Sequence, residues 1–325
     1  MRTANASTRS LLSLFSLFTL AIAGAATGCD PVDEDLGAVT LRPFICTWCG
    51  YSGGNSANIN GADLSNIHLR ESFGDGMVLG PLSSGLNMNL RLGVDPQTDS
   101  FIGLAGDDVL LSGADMVGAK IAVILNNGQY IWLTISAIDS QIASWSDSGG
   151  MITAYRATYF NQGNEQSLCP STNPENQWFT LIPDEVYTPE VTPSPRSVTI
   201  ACVGEAAAKM KLMDFHPQGA RGASVGDRQA TLRMITADYC GTGESFTLTG
   251  TAVAWRDNLD RVKPPYGEEV LEALWDEDGA ICLDTPRVVA RDTVAAACPI
   301  PACEGDESFR AGAVWRTMTA AKSDG

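Results

Sequence analysis

Histidine is nearly missing: His68 and His216 are the only two in 325 residues. Imidazole is the usual general base and metal ligand near neutral pH, so this scarcity weighs against chemistry built on it. The nucleophile elbow Gly-x-Ser-x-Gly, the zinc signature His-Glu-x-x-His and the phosphate loop closing on Gly-Lys-Ser/Thr do not occur. Cations are few as well, with 21 Lys and Arg against 38 Asp and Glu and a net charge of −17. Such an acidic balance disfavours nucleic acid and anionic membrane surfaces, and no nucleic-acid partner is expected. After residue 28, no segment offers the ~20 mostly apolar residues that a spanning helix needs. No metal and no cofactor is expected from these absences.

The first residues do carry a pattern. Arg2 and Arg9 precede an apolar run from Leu11 to Ala26, and small residues follow. Positive, apolar, then small is the layout of a secretory signal peptide, here 1–28. The run is too short and too rich in Ser, Thr and Ala for a membrane anchor. The segment ends Ala26-Thr27-Gly28-Cys29, which resembles the lipobox of bacterial lipoproteins, although Ala26 stands where Leu is usual. The resemblance implies that Cys29 is lipidated and becomes the mature N-terminus. Cysteine parity agrees: there are nine Cys, and setting Cys29 aside leaves an even number for pairing. The expected location is the cell envelope, lipid-anchored and facing periplasm or cell surface. The membrane is met through the lipid only.

Residues 29–43 are acidic at first, with Pro31 and Pro43, and read as a tether. From 44 to 182 the signals are β. Leu86, Met88, Leu90, Leu92 and Val94 alternate with small or polar residues. Ile121–Leu125 and Tyr130–Ile135 flank Asn126-Asn127-Gly128, a hairpin signature. A sandwich or barrel-like half would bury such strands. Pro183, Pro189, Pro193 and Pro195 crowd one stretch, and 183–196 reads as an interdomain boundary. Beyond it, helix formers from Glu205 to Phe215, a helix over Arg228–Thr236 capped by Asp227, a strand over Phe246–Trp255 and a hairpin turning at Asp278-Gly279 make a smaller α+β domain, 197–290. The fold class is thus α+β, mainly β. Residues 291–325 read as an Ala-rich, frayed tail.

Within the second half, Thr236-Ala237-Asp238-Tyr239-Cys240-Gly241-Thr242-Gly243 resembles the signature of the ADYC domain family. The segments Ala201–Lys209, Glu272-Ala273-Leu274-Trp275, Asp278–Cys282 and Arg287-Val288 resemble that family's flanking motifs in the same order. The resemblance covers about Ser197 to Val289. It implies an exported, disulfide-bearing module of unknown role, found mainly in myxobacteria. In the family pattern a Cys is common at the position of Met210, and a His-Gln-Ala-Cys segment stands where this chain has Arg228-Gln229-Ala230-Thr231. A Cys/His active site built on that segment is therefore not expected here.

Cys240 beside Asp238, with His216 upstream, invites a nucleophile reading. In an oxidising compartment an even set of Cys more often forms disulfides. The expected pairs are Cys46–Cys49, Cys169–Cys202, Cys240–Cys282 and Cys298–Cys303, with Cys46 or Cys49 as other partners for Cys169. Cys46-Thr47-Trp48-Cys49 has redox spacing, yet the loop Gly50-Tyr51-Ser52-Gly53-Gly54 follows instead of a helix. Asp276, Glu277 and Asp278 lack the closing Glu of a calcium loop. Trp132 and Trp255 lie in strand-like segments, where core burial is the expectation. The leading expectation is a non-enzymatic lipoprotein for binding, adhesion or envelope structure, with an unknown envelope or extracellular partner. A secreted hydrolase using acidic residues is the alternative, and a thiol oxidoreductase using Cys46 and Cys49 is a weaker one.

Overall fold

The computed structural model describes residues 57–59, 62–64, 66–69, 77–85, 87–171, 177–248, 251, 253–262, 269–303 and 312–320. The signal segment, Cys29, the tether, Cys46 and Cys49 lie outside these residues. The described residues belong to a single compact unit. Its strands, in chain order, begin with β1 (Asn58–Ile59), β2 (Ala62–Asp63), β3 (Ile67–His68), β4 (Met77–Ser84), β5 (Asn87–Asp95), β6 (Ser100–Ala105) and β7 (Asp108–Leu111). After a 3-10 turn at Gly113–Met116 come β8 (Lys120–Ile124), β9 (Tyr130–Ala143), β10 (Met151–Asn161), β11 (Asn164–Ser167), β12 (Phe179–Thr188) and β13 (Glu190–Cys202).

Seven of these strands close on themselves. The order β3-β13-β12-β10-β9-β8-β4 returns to β3 through a β3–β4 pairing, so the sheet is a barrel. Strands β5, β6 and β7 extend it beyond β4, and β11 pairs with β10. The barrel-like expectation holds. The expected hairpin is β8–β9, with Ala122 opposite Trp132 and Gly128 in the positive-φ position at φ 77. The barrel is filled, not hollow: Leu82, Ile121, Val123, Leu133, Ile135, Phe179, Leu181, Val198 and Ile200 form one buried cluster.

The second half holds α1 (Ala206–Leu212), α2 (Val225–Thr236), β14 (Ala254–Asp257), β15 (Glu269–Asp276), β16 (Gly279–Leu283), α3 (Arg291–Ala297) and β17 (Trp315–Ala320). Its sheet runs β14-β17-β15-β16, all antiparallel. The C-terminal stretch is therefore no frayed tail. Strand β17 sits inside the sheet, paired with β14 on one side and β15 on the other, and Trp315 is fully buried. Trp315, Thr317, Met318 and Thr319 are all buried, a strand enclosed on both faces whose polar threonines and Ala-rich surroundings hide it in the sequence. Helix α2 starts at Ser224 rather than at Asp227. Ser224 Oγ accepts from the Asp227 backbone N–H, and Asp227 Oδ2 accepts from the Ser224 N–H, which makes a capping box. The expected strand over Phe246–Trp255 shrinks to β14.

The proline-rich stretch 183–196 is not a boundary. It is the distal part of the β12–β13 hairpin, with Pro183 opposite Val198 and Glu185 opposite Pro193. Proline is tolerated because, among the described residues, this part of the hairpin has no outer neighbour strand. Strand β10 reaches β12 only at Phe179, and β3 reaches β13 only at Ser197 and Val198. Asp184 (φ 62) and Arg196 (φ 74) mark the irregularity where the ladder shifts, and the Arg196 N–H donates to Asp184 Oδ1 at 2.9 Å. The hairpin's two faces serve different cores. Phe179, Leu181, Val198 and Ile200 face the barrel interior, whereas Ile182, Tyr187, Val191 and Ala201 join the core under α1 and α2.

Three disulfides close the described fold. Cys169–Cys202 is the pair read from the sequence. Cys240 pairs with Cys298, not Cys282, and Cys303 pairs with Cys282, not Cys298. Sequence proximity misled here: Cys298 ends α3 and Cys282 lies in β16, so the short loop between Cys298 and Cys303 spans the gap between two anchor points.

Candidate functional site

The family-like motif begins where α2 must stop. Ala237 takes the left-handed conformation (φ 53, ψ 41) that ends a helix, and its N–H and that of Asp238 bond back to the last turn. Asp238 is 3% exposed and accepts from the N–H groups of Thr242 and Gly243 at 3.0 and 2.8 Å and from Arg233 at 3.1 Å. It shapes the turn by satisfying its backbone. The Tyr239 ring packs against Trp275 and Phe246, with centroids 5.2 and 5.7 Å away. Its hydroxyl donates to Glu272 Oε1 at 2.7 Å and accepts from the Arg287 N–H at 3.1 Å. Burial, then the Glu272 charge, pushes its pKa well above the phenol range. Arg287 completes the knot: Nε donates to Glu272 Oε1 at 2.7 Å, and its Nη groups cap the α2 carbonyls of Met234 and Ile235. Cys240 is bonded to Cys298 and is no nucleophile. The Asp278-Gly279 turn docks on the motif, where the Ala280 N–H donates to the Tyr239 carbonyl at 3.0 Å. A Cβ at Gly279 would come within 2.6 Å of that oxygen. The separate motifs of the sequence thus converge on one structural knot around Ala237, Asp238, Tyr239 and Cys240.

Two other buried charge clusters carry no sequence motif. Glu185, fully buried, receives both Arg228 Nε contacts at 2.9 Å and the Tyr187 hydroxyl at 2.7 Å. Gln229, next along α2, accepts from the Val191 N–H at 2.7 Å. Lys211 on α1 reaches Asp99, in the turn before β6, at 2.8 Å, and also donates to the Leu181 carbonyl. His216 Nε2 lies 3.6 Å from the same Asp99 oxygen. Burial first, then the Lys211 and Arg228 cations, depresses the His216 pKa to about 3. His216 therefore belongs to this cluster and not to Cys240. The available sequence signal was charge in apolar company: Lys211 stands between Met210 and Leu212, and Glu185 precedes Val186-Tyr187.

The buried carboxylates are all committed. Asp99, Glu185, Asp238 and Glu272 pair with Lys211, Arg228, Arg233 and Arg287. Asp257 pairs with Arg221 and accepts the N–H groups of Arg261 and Val262. Asp214 accepts from Ala220, Arg221 and Ser148. Among the described residues no cluster of three His, Cys, Asp or Glu has metal-binding geometry.

On the outer face of the barrel the arrangement differs. Tyr130, Trp132 and Phe160 are 63%, 45% and 69% exposed. The core burial expected for Trp132 does not occur, because it alternates outward on β9 while Ile131 and Leu133 point in. Trp255 is partly buried and stacks on Trp145 at 5.9 Å. The β9–β10 register pairs Leu133 with Tyr159, and one further step sets Phe160 beside Trp132. Tyr130 lies two residues along β9, on the same face. Thr134, Thr158 and Glu165 supply polar groups at its edge, with the Thr158 hydroxyl bonded to Glu165 at 2.8 Å. Three exposed rings on one face of the barrel wall form the described feature least explained by folding alone.

The ADYC domain family matches residues 113–289. No curated protein matches the chain, and no solved structure matches it.

Proposed function

Since the chain belongs to the ADYC domain family, we propose that it is a non-enzymatic binding protein of the cell envelope, held by lipid on Cys29, whose contact surface is the Tyr130–Trp132–Phe160 face. The exposed aromatic row carries the reading. Flat rings in line stack on the C–H faces of sugar rings, and the Thr and Glu groups beside them suit hydroxyl partners, so the ligand class is an extended polysaccharide. The engagement of every described buried carboxylate weighs against an acid-dependent hydrolase. Three disulfides fit an oxidising, exported environment, and no helix of the described residues is long and apolar enough to cross a membrane.

The test uses full-length protein and insoluble glycans: peptidoglycan sacculi, chitin and cellulose. Replacing Tyr130, Trp132 and Phe160 together by Ala should cut retention on the bound glycan at least about tenfold. The melting temperature should stay within a few degrees, since all three are exposed. Equal retention of the variant, or no retention of wild type on any glycan, sinks this reading. Labelling with an alkyne fatty acid, absent in Cys29→Ser, tests the anchor.

A further inference from the structure

The Asp99–Lys211 pair is unlike an ordinary buried ion pair. Side-chain exposures are 6% and 3%, yet Asp99 Oδ1 is buried with no hydrogen-bond partner. A buried carboxylate anion needs its remaining lone pairs satisfied, and this one does not have that. The amine is equally short of acceptors. An ammonium carries three N–H donors, and Lys211 Nζ meets two, Asp99 Oδ2 and the Leu181 carbonyl. Asp99 itself sits in the left-handed region at φ 49, held there by the turn that precedes β6. Both groups are fixed by different walls of the molecule, 112 residues apart in sequence, with nitrogen and carboxyl in contact. Proximity of this kind makes the encounter of amine and carboxyl intramolecular.

We propose that Asp99 and Lys211 condense to an intramolecular amide that covalently joins the barrel to α1. The reactants arise by moving one proton from the ammonium to the carboxylate, which leaves a neutral amine and a neutral acid in a site that penalises charge. Burial lowers the Lys211 pKa in that direction. Nζ attacks Cγ of Asp99 and forms the C–N bond. His216 Nε2, 3.6 Å from Oδ2, takes the proton that Nζ loses and delivers it to the departing Oδ2 hydroxyl. The Cγ–Oδ2 bond breaks and water leaves, with no oxidant or co-reactant. His216 is neutral near pH 7, and in the tautomer that carries its proton on Nδ1 the Nε2 can accept. The product removes the charge rather than the vacancy: Oδ1 remains as a neutral amide oxygen, which costs less to bury unpaired than a carboxylate, and the one remaining N–H still faces the Leu181 carbonyl.

Mass spectrometry of the full chain, purified with its disulfides formed, then reduced and alkylated, decides the matter. Wild type should be lighter than its sequence by one water. Lys211→Met and Asp99→Ala should each show full sequence mass. Asp99→Asn should reach the same linked product as wild type, by losing ammonia instead. Digestion with trypsin should yield a branched peptide in which Lys211 is uncleaved and joined to Asp99. That peptide separates the link from any other dehydration. His216→Gln should form the link several-fold more slowly. A wild-type chain at full mass after prolonged incubation in the folded state, or a water loss that maps elsewhere, overturns the proposal. The wild-type peptide map stands even if a variant fails to fold.

Discussion

Tyr239 and Asp238 divide their work by chemistry. Asp238 holds backbone N–H groups and a guanidinium, and Tyr239 spends its hydroxyl on Glu272 and its ring on Trp275. Tyr239→Phe removes the hydroxyl partner of a buried carboxylate that also carries an unpaired oxygen, Oε2. Urea titration should show a loss of about 1–3 kcal/mol. Asp238→Ala should cost more, about 3 kcal/mol, because it strands the buried Arg233 and two turn N–H groups. His216 gives a pH signature. Its folded pKa of about 3 lies below the ordinary 6.5, so the unfolded chain binds the extra proton between those values. This stability is fully present above about pH 6.5 and is lost as pH falls towards 3. By linkage the protein should be about 2 kcal/mol less stable at pH 5 than at pH 8 from this group. His216→Gln should flatten that slope. Burial, the largest cause, persists whether or not Lys211 stays charged.

Among elements, α2 shows how much local sequence could reveal. Its end at Ala237-Asp238 was legible from the helix formers and the motif, whereas its start was misplaced by three residues. Asp227 is half of a reciprocal cap, and Ser224 is the other half. Ser224→Ala should cost about 1 kcal/mol in thermal or urea unfolding. The β8–β9 hairpin was legible because its Asn-Asn-Gly turn and alternation agree. The β12–β13 hairpin was not. Its residues face a core on each side, so the apolar pattern is nearly continuous and no period of two survives. Its prolines then suggested a linker, and only the absence of an outer neighbour strand explains why they fit. The disulfides failed for a related reason. Cys240 and Cys282 are close in sequence order and motif, but α3 brings Cys298 to Cys240, a tertiary fact that spacing does not encode.

For the whole molecule, a boundary at 183–196 would let a chain starting at Arg196 fold alone, and the β12–β13 hairpin predicts the reverse. Such a chain lacks β12, Glu185, Tyr187 and Val191, which carry the partners of Arg228 and Gln229 and part of the core under the helices. It should show no cooperative thermal transition and no native-like near-ultraviolet dichroism. Restoring the chain from Ala57, which returns β3 between β13 and β4 along with the buried Ile59, Leu64 and Ile67, should recover both. The aromatic face, by contrast, belongs to the barrel alone, and the deep residues beneath it are those of the barrel core. The sequence hid that face as well, since a Trp in a strand reads as core until the strand's inward set, Ile131, Leu133 and Ile135, is known.

The shared hairpin also bears on heredity. A gene segment can be moved between proteins only if the piece it encodes closes its own core. Here the family match runs from 113 to 289, leaving out β1 to β7 at one end and α3 and β17 at the other, although β3 and β4 close the barrel and β17 sits inside the second sheet. The stretch that defines the family is thus shorter than the stretch that must be inherited together. Recombination breakpoints within Phe179–Cys202 would open two cores at once, so exchange among relatives should respect the pair of halves as one indivisible unit. A library of chimaeras screened for soluble protein should be depleted of crossovers throughout that hairpin.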